Sequence, residues 1–143
     1  MVEDKDYNVL EFNIRLGDPE TQVLLPRIQD DLYVLFKECA LNLMNNKDVT
    51  LKSESFVHIV CSSKEYPYRK TKKVPITILN LAENTQFIAA GIESLNEQLF
   101  ATGGRICGLT AKGNTKKEAR ELAYKNIHKI KFDGKHFRHD IAK

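Results

Sequence analysis

Three polar side chains alternate near the start of the chain in a pattern that could bind a metal ion and an anion. Glu11, Asn13 and Arg15 are separated by single apolar residues. On a strand they would emerge from one face, about 7 Å apart at the backbone. A carboxylate and an amide oxygen suit Mg²⁺, usually together with nucleotide phosphates, and Arg15 would reach a phosphate or carboxylate beyond the ion. Because the polar face of any edge strand can carry this pattern, the spacing alone leaves a structural interpretation open.

The alternation around these residues predicts the strand that would position them. From Val9 to Leu16 every second residue is apolar, which indicates a strand with one apolar and one polar face. Such a strand needs neighbours, and few residues precede it, so we expect preceding domains to supply them. Asp18 and Pro19 then predict the N-cap and first residue of a short helical turn.

The rest of the chain predicts an α+β domain. Helical spacing predicts an amphipathic helix from Pro26 to about Met44, ended by residues 45–48. A second amphipathic helix starts at Thr115, which forms a capping box with Glu118. Apolar runs predict strands over residues 56–61, 76–79, 87–90, 99–102 and 106–111, with a Gly103-Gly104 turn before the last. We therefore expect a small, mostly antiparallel sheet with two amphipathic helices.

Composition excludes some classes of protein and favours others. The 143 residues carry a net charge of +3, which fits an anionic ligand better than nucleic acid, whose binding usually needs a clustered basic face. Neither a membrane span nor a signal peptide is predicted. The three cysteines, Cys39, Cys61 and Cys107, have no metal-binding spacing and are expected to be buried thiols in a reducing cytoplasm.

The continuation of the first segment resembles a known family. Residues 11–27, Glu-Phe-Asn-Ile-Arg-Leu-Gly-Asp-Pro-Glu-Thr-Gln-Val-Leu-Leu-Pro-Arg, are similar to the signature of the glycinamide ribonucleotide synthetases, the phosphoribosylamine–glycine ligases. Gly103-Gly104-Arg105, residues 110–113 and residues 137–141 are similar to later segments of that family. The likeness is weak between about residues 47 and 98. There the family's glycine-tyrosine-proline turn is replaced by Glu65-Tyr66-Pro67.

The resemblance implies an ATP-grasp enzyme of purine biosynthesis. ATP would phosphorylate the carboxylate of glycine, and the amine of phosphoribosylamine would then attack the acyl phosphate. Residues 1–25 would be the end of the ATP-grasp core, with its last strand, and residues 26–143 the C-terminal α+β domain, similar to a hybrid motif. Missing N-terminal domains would complete the cleft, so the chain alone is expected to be inactive.

The family pattern also assigns residues to roles. It makes Glu11 and Asn13 ligands of Mg²⁺ or Mn²⁺, and it makes Arg15 and Asp18 catalytic. It places Arg15, Asp18 and Glu20 beside glycine and phosphoribosylamine, and it makes Arg105 a ligand of the ribose phosphate. Without the resemblance, Arg15 with Asp18 or Glu20 is a surface ion pair, worth about 0–1 kcal/mol.

Other interpretations of these basic residues and histidines remain open. Arg105 would be an ordinary hairpin residue, and Lys70, Lys72 and Lys73 a solvated loop that could cover an anion. None of the four histidines forms a recognised metal spacing. A second hypothesis for the whole chain is a stand-alone basic module for phosphate or single-stranded nucleic acid. Such a module would need aromatic and basic residues on one sheet face, and Tyr66, Tyr68, Arg69 and Lys70 come nearest to this but lie in a predicted loop.

Overall fold

A computed structural model describes residues 2–3, 6–44, 48–69 and 72–143. Its strands are β1 (Val2–Glu3), β2 (Asp6–Tyr7), β3 (Ser55–Ser63), β4 (Val74–Ile78), β5 (Thr85–Ala89), β6 (Ile92–Leu95), β7 (Gln98–Ala101), β8 (Arg105–Gly113), β9 (Ile130–Lys131) and β10 (Lys135–His136). Its helices are α1 (Thr21–Leu24), a 3₁₀ turn (Leu25–Arg27), α2 (Leu32–Ala40) and α3 (Lys116–Ile127). The predicted α+β class is confirmed.

Two antiparallel four-stranded sheets form the body of the fold. The first has the strand order β10-β3-β8-β5 and the second β6-β7-β4-β9. The long strands β3 and β8 are paired from Ser55 opposite Gly113 to Cys61 opposite Cys107, where a bulge follows. The five strands predicted from apolar runs are all present, as β3, β4, β5, β7 and β8, whereas β1, β2, β6, β9 and β10 were not predicted.

One face of the first sheet packs against α3 and forms the core. Val57, Ile59 and Cys61 on β3 lie opposite Ala111, Leu109 and Cys107 on β8, and all six are buried. Ala119 and Ala123 on α3 are also fully buried, and their small side chains let the helix approach the sheet closely. The hydroxyl of Thr115 accepts a hydrogen bond from Glu118 N at 3.1 Å, which confirms Thr115 as the cap. The return bond of the predicted capping box differs, because the Glu118 carboxylate accepts from Asn114 N at 3.0 Å.

The opposite face of this sheet carries different chemistry. His58 lies opposite Thr110, and Val60 lies opposite Gly108, so these side chains point away from the core. Helix α1 and the following 3₁₀ turn contact β3. Residues 17–27 therefore cross the outer face of the sheet.

The strand predicted from Val9 to Leu16 is not formed. Residues 8–16 have no strand pairing, and the apolar members of the alternation are exposed: Val9, Leu10, Phe12, Ile14 and Leu16. A strand needs a neighbour for its backbone groups and a surface for its apolar face. The described part of the chain offers this segment neither.

The helix predicted from Pro26 to Met44 is divided and shorter. Pro26 lies in the 3₁₀ turn, Ile28 is extended and bridges to Leu51, and α2 begins only at Leu32. The carboxylate of Asp31 accepts from Val34 N at 3.0 Å and caps α2. Because an extended residue cannot continue a helix, the cap at Asp31 outweighs the apolar spacing before it. The predicted end at residues 45–48 falls partly on residues 45–47, which lie outside the described residues.

Two glycines bring the backbones around β6 and β8 into close contact. A Cβ on Gly91 would lie 2.7 Å from the Cα of Gly103, and a Cβ on Gly103 would lie 2.9 Å from the Cα of Gly91. Both distances are below 3.0 Å, which is closer than a Cβ atom comes to a backbone atom in real proteins. Gly91 N also donates to Arg105 O at 3.0 Å. This crossing fixes the position of the turn that leads into Arg105.

The cysteines divide into two kinds. Cys61 and Cys107 are buried free thiols on neighbouring strands, whereas Cys39 is exposed, so the prediction that it is buried is wrong. A hydrogen bond with Cys61 and burial raise the pKa of the Cys107 thiol, which therefore stays protonated.

Candidate functional site

An ion pair joins two of the residues singled out in the sequence. Arg105 Nη2 lies 2.9 Å from Asp18 Oδ2, and Arg105 Nη1 donates to the carbonyl oxygen of Asp18 at 3.3 Å. The two positions are 87 residues apart. Both side chains are about half exposed, so the pair itself adds only about 0–1 kcal/mol to stability. Its structural effect is to connect the turn after Gly104 with the segment that crosses the sheet.

The segment around Asp18 is held by local hydrogen bonds. Thr21 N donates to Gly17 O at 3.0 Å, and the hydroxyl of Thr21 donates to the same carbonyl. Gln22 Nε2 donates to Asp18 Oδ1 at 2.9 Å. The prediction that Asp18 is an N-cap is wrong: α1 starts at Thr21, its N-cap residue is Glu20, and no side chain caps it. The carboxylate of Asp18 is committed instead to Gln22 and Arg105.

A cavity of about 140 Å³ lies between this segment and the outer face of the sheet. Its polar lining comes from Asp18, Gln22, His58 and Arg105, and its apolar lining from β3, β5 and β8. The ring of His58 lies over Gly108, where a Cβ would come within 2.2 Å of ring atoms Cε1 and Nε2. Glycine at position 108 therefore makes room for the imidazole.

His58 is neutral at physiological pH. Burial lowers the pKa of its imidazole from 6.5 to about 4, and the nearby Asp18 carboxylate opposes the shift. His58 was not among the site residues predicted from the sequence. The signal that could have indicated it is its position on the polar side of β3, directly across from Thr110 on β8.

A second opening lies on the other side of Arg105. A cavity of about 360 Å³ is lined by Tyr66, Pro67, Tyr68, Arg69, Gly104 and Arg105. It brings two guanidinium groups and two phenol rings to one place. Such a lining suits a phosphorylated ligand, because a guanidinium can donate two parallel hydrogen bonds to a phosphate.

The predicted metal ligands lie side by side but are exposed. Asn13 Nδ2 donates to Glu11 Oε1 at 3.1 Å. Across the described ranges, no group of three or more His, Cys, Asp or Glu residues could hold a metal ion. A protein usually supplies only one or two of the ligands of Mg²⁺, while nucleotide phosphates and water supply the others. One carboxylate oxygen and one amide oxygen match that number. The donor set therefore fits the ion only together with groups from outside this pair.

The contacts of the other predicted residues do not bear on their predicted roles. Arg15 Nη1 donates to the neighbouring Leu16 O at 2.9 Å, and Arg15 does not pair with Asp18 or Glu20 in any described contact. Lys73 pairs with Glu93 at 3.2 Å, whereas Lys70 lies outside the described residues. None of these contacts tests the roles predicted for Arg15 and Glu20, which stay predictions. Among the described residues, no helix is long and apolar enough to cross a bilayer.

Comparisons with known proteins agree with the motifs. Residues 56–143 match the family described as phosphoribosylglycinamide synthetase, C domain. A phosphoribosylamine–glycine ligase of Caldanaerobacter subterraneus subsp. tengcongensis is 36% identical over 134 residues, which cover 94% of this chain and 32% of the relative. A bifunctional purine biosynthetic protein of Dictyostelium discoideum is 35% identical over 143 residues, covering 97% of this chain and 18% of that protein.

A solved structure gives the same result for the fold. The crystal structure of a phosphoribosylamine–glycine ligase from Thermotoga maritima superimposes with a TM-score of 0.70 and 31% sequence identity, over 98% of this chain and 34% of that one. The chain thus spans about a third or less of the length of these relatives.

Proposed function

The chain belongs to the phosphoribosylglycinamide synthetase C-domain family, and we propose that it is the C-terminal part of a phosphoribosylamine–glycine ligase. The complete enzyme would join glycine to 5-phosphoribosylamine at the expense of ATP, giving glycinamide ribonucleotide, ADP and phosphate in purine biosynthesis. The observation that carries the proposal is the Asp18–Arg105 ion pair. It links the two segments that most resemble the family, residues 11–27 and the Gly103-Gly104-Arg105 turn.

In this proposal the chain supplies one wall of a cleft, and its residues bind and orient the substrates. Arg105 borders both cavities, and its guanidinium would bind the phosphate of phosphoribosylamine. The Asp18 carboxylate would hold that guanidinium in place and face the amine side of the cleft, with Arg15 and Glu20 beside it. These roles amount to positioning and electrostatic stabilisation, which supply much of the catalysis in phosphoryl transfer.

Glu11 and Asn13 would hold Mg²⁺ or Mn²⁺ in the complete enzyme. Their oxygens match the hardness of the ion, which would neutralise charge on the phosphates of ATP when bound. An ATP-grasp core and the nucleotide-binding groups would come from the remaining two-thirds of such an enzyme. The free thiols fit a reducing compartment, and a cytoplasmic location is part of the same proposal.

The alternative of a stand-alone nucleic-acid module is not favoured, because the relatives that cover almost the whole chain are ligases. Tyr66, Tyr68 and Arg69 do line one cavity, but they lie in the loop after β3 and not on a sheet face. Single-stranded nucleic acid usually needs successive aromatic platforms along a basic groove.

The test of the proposal is a ligase assay of a complete enzyme that carries this chain as its C-terminal third. ADP release that depends on both glycine and phosphoribosylamine is expected. ADP release that does not depend on glycine, or does not depend on phosphoribosylamine, would overturn the proposed reaction. Activity with a different amino acid in place of glycine would keep the ligase class but reject the substrate.

A further inference from the structure

The larger cavity beside Arg105 is formed by two segments of the chain. The loop after β3 contributes residues 66–69, and the turn before β8 contributes Gly104 and Arg105. Ser63 N, at the end of β3, donates to Gly104 O at 2.8 Å, so the loop starts from a fixed point on the turn. A Cβ at position 104 would come within 2.6 Å of Tyr66 Cδ2, so the phenol ring lies directly on Gly104. The volume of about 360 Å³ lies within the roughly 300–1,000 Å³ of small-molecule sites.

Arg105 offers this cavity hydrogen-bond donors but little net charge. Its contacts with Asp18 engage Nη1 and Nη2, and each of these nitrogens carries a second N–H. The Nε–H group of Arg105 has no partner among the described residues. The Asp18 carboxylate offsets the positive charge of the guanidinium and holds it in one orientation. Arg105 therefore presents oriented donors to a ligand, and the attraction of a second charge has to come from elsewhere.

Arg69 supplies the net positive charge of the cavity. Its side chain is exposed, and in the described part of the chain its guanidinium forms no hydrogen bond or ion pair. The neighbouring cavity on the other side of Arg69 is bordered by two lysines and two acidic residues, whose charges balance: Lys64, Lys72, Glu65 and Asp133. An unpaired guanidinium thus lies beside a neutralised one, and no acidic side chain lines the cavity that they share.

We infer that this cavity binds the phosphate group of a small phosphate monoester between Arg69 and Arg105, with Arg105 aligning the phosphate and Arg69 supplying the charge. A phosphate monoester carries a charge of about −1.5 to −2 at neutral pH and three acceptor oxygens, so it can engage both guanidinium groups. A carboxylate has one charge and two oxygens, which a single guanidinium satisfies. The inference rests on the proposed function only for the identity of the ligand, phosphoribosylamine. Arg69 lies in the stretch where the likeness to the family is weak, so the motifs did not identify it.

The first test observes both guanidinium groups and needs no activity. ¹H–¹⁵N correlation spectra of the Nε–H groups of the ¹⁵N-arginine-labelled 143-residue chain, assigned with Arg69→Lys and Arg105→Lys, would be recorded during titration with ribose 5-phosphate. The resonances of Arg69 and Arg105 should shift saturably with one dissociation constant. Ribose, which lacks the phosphate, is the matched control, and Arg138, paired with Asp140, is the internal reference. A response of only one of the two arginines, no response, or an equal response to ribose would overturn the inference.

Variants of the chain separate a specific site from a general attraction of anions. Arg69→Ala should weaken the binding of ribose 5-phosphate about tenfold or more, as expected for a lost charged hydrogen bond. Lys64→Ala removes the same charge from the same loop outside the cavity, and screening by salt should keep its effect below about twofold. Arg69→Lys should recover most of the loss, whereas Arg105→Lys should recover little of the loss of Arg105→Ala, because alignment needs the planar fork. Equal losses for Arg69→Ala and Lys64→Ala, or equal recovery by the two lysines, would contradict the inference.

The complete ligase connects the cavity with the proposed reaction. There Arg69→Ala should raise the KM for phosphoribosylamine about tenfold, with little change in the KM for glycine or ATP. A working ligase in which Arg69→Ala leaves that KM unchanged would contradict the inference, while the proposed function would stand. If the ligase reaction itself is absent, the proposed function fails, while the titration of the chain still decides whether the cavity binds a phosphate monoester.

Discussion

Asn126 on the last helix holds the backbone of Ala82, which lies in the connection before β5. Asn126 Oδ1 accepts from Ala82 N at 3.0 Å, and its Nδ2 donates to Leu122 O at 2.9 Å. The residue is fully buried, in a helix whose other buried residues are apolar. This pair of bonds connects two parts of the fold that are 44 residues apart.

Replacing Asn126 should therefore destabilise the domain. In Asn126→Leu the amide of Ala82 would lose its partner inside the protein, at a cost of about 1–3 kcal/mol. Urea denaturation followed by circular dichroism would measure the change in the free energy of unfolding. Lys125→Ala, an exposed change on the same helix, is the control and should stay within about 0.5 kcal/mol. Equal stability of Asn126→Leu and the parent would show that these bonds contribute nothing net.

The 143-residue chain alone is predicted to lack ligase activity. In the proposed site Glu11 and Asn13 would provide two metal ligands at most, and the chain spans about a third of the length of its single-function relatives. Without the rest of the cleft, ATP and glycine are not held in reacting positions. The measurement is glycine-dependent ADP release by the purified chain. Turnover at ordinary enzyme rates would mean that the chain is a complete catalyst.

Glu11→Gln in the complete ligase should remove most of the activity and leave the fold intact. The amide keeps the shape of the carboxylate but loses the negative charge that a divalent cation needs. Activity and its dependence on Mg²⁺ concentration would be compared with Glu121→Gln, an exposed change on α3. Mg²⁺ alone should bind the isolated chain very weakly. Near-normal turnover of the Glu11→Gln variant would show that Glu11 is not a metal ligand.

Arg105→Ala should raise the KM for phosphoribosylamine far more than the KM for ATP or glycine. A lost charged hydrogen bond costs about 1.5–3 kcal/mol, which is roughly ten- to a hundredfold in binding. Arg105→Lys should recover only part, because lysine cannot form two parallel bonds.

The matched control for Arg105 is Arg138→Ala, whose guanidinium pairs with Asp140 in the C-terminal tail. A similar effect on all three substrates would identify Arg105 as a structural residue that acts through Asp18. Arg105 would then not be a ligand of the phosphate.

His58 should make the domain less stable in mild acid. Its pKa is about 4 in the folded chain and near 6.5 when unfolded, so between these values the unfolded state binds more protons. Stability should therefore be complete above about pH 6.5 and fall as the pH drops towards 4. The full shift corresponds to about 3 kcal/mol, and the remaining solvent contact of the ring reduces the expected loss to about 1–2 kcal/mol.

The comparison with His58→Gln isolates this effect from other titrating groups. Free energies of unfolding at several pH values between 4 and 7 would be measured for both proteins. The difference between them should change with pH in the stated direction. A constant difference would show that the imidazole titrates normally.

The parts of the fold that could be predicted are those set by local pattern. Strands β3 and β8 and helix α3 follow directly from apolar runs and the cap at Thr115. The segment 8–16 shows the limit of this reasoning, because its alternation is correct for a strand but strand formation depends on a neighbour. Strands β9 and β10 have only two residues each, and their pairing with β4 and β3 is set by tertiary contacts.

The candidate site could be predicted in part. Motif resemblance named Asp18 and Arg105 separately, but their contact across 87 residues requires the fold. His58 and Gln22 were missed because nothing local distinguishes a cavity-lining polar residue from a surface one. Their place beside Asp18 and Arg105 is set by the packing of residues 17–27 on the sheet.

The crossing of Gly91 and Gly103 limits how the chain can change over evolutionary time. Each glycine leaves room for the backbone of the other, so a side chain at either position meets main-chain atoms that cannot rotate away. A second substitution at the partner position cannot relieve the first, because that partner already has no side chain to shorten. In a saturation mutagenesis library, both positions should tolerate only glycine, and no double substitution should rescue either. The turn that presents Arg105 would then vary in sequence far less than the exposed residues around it.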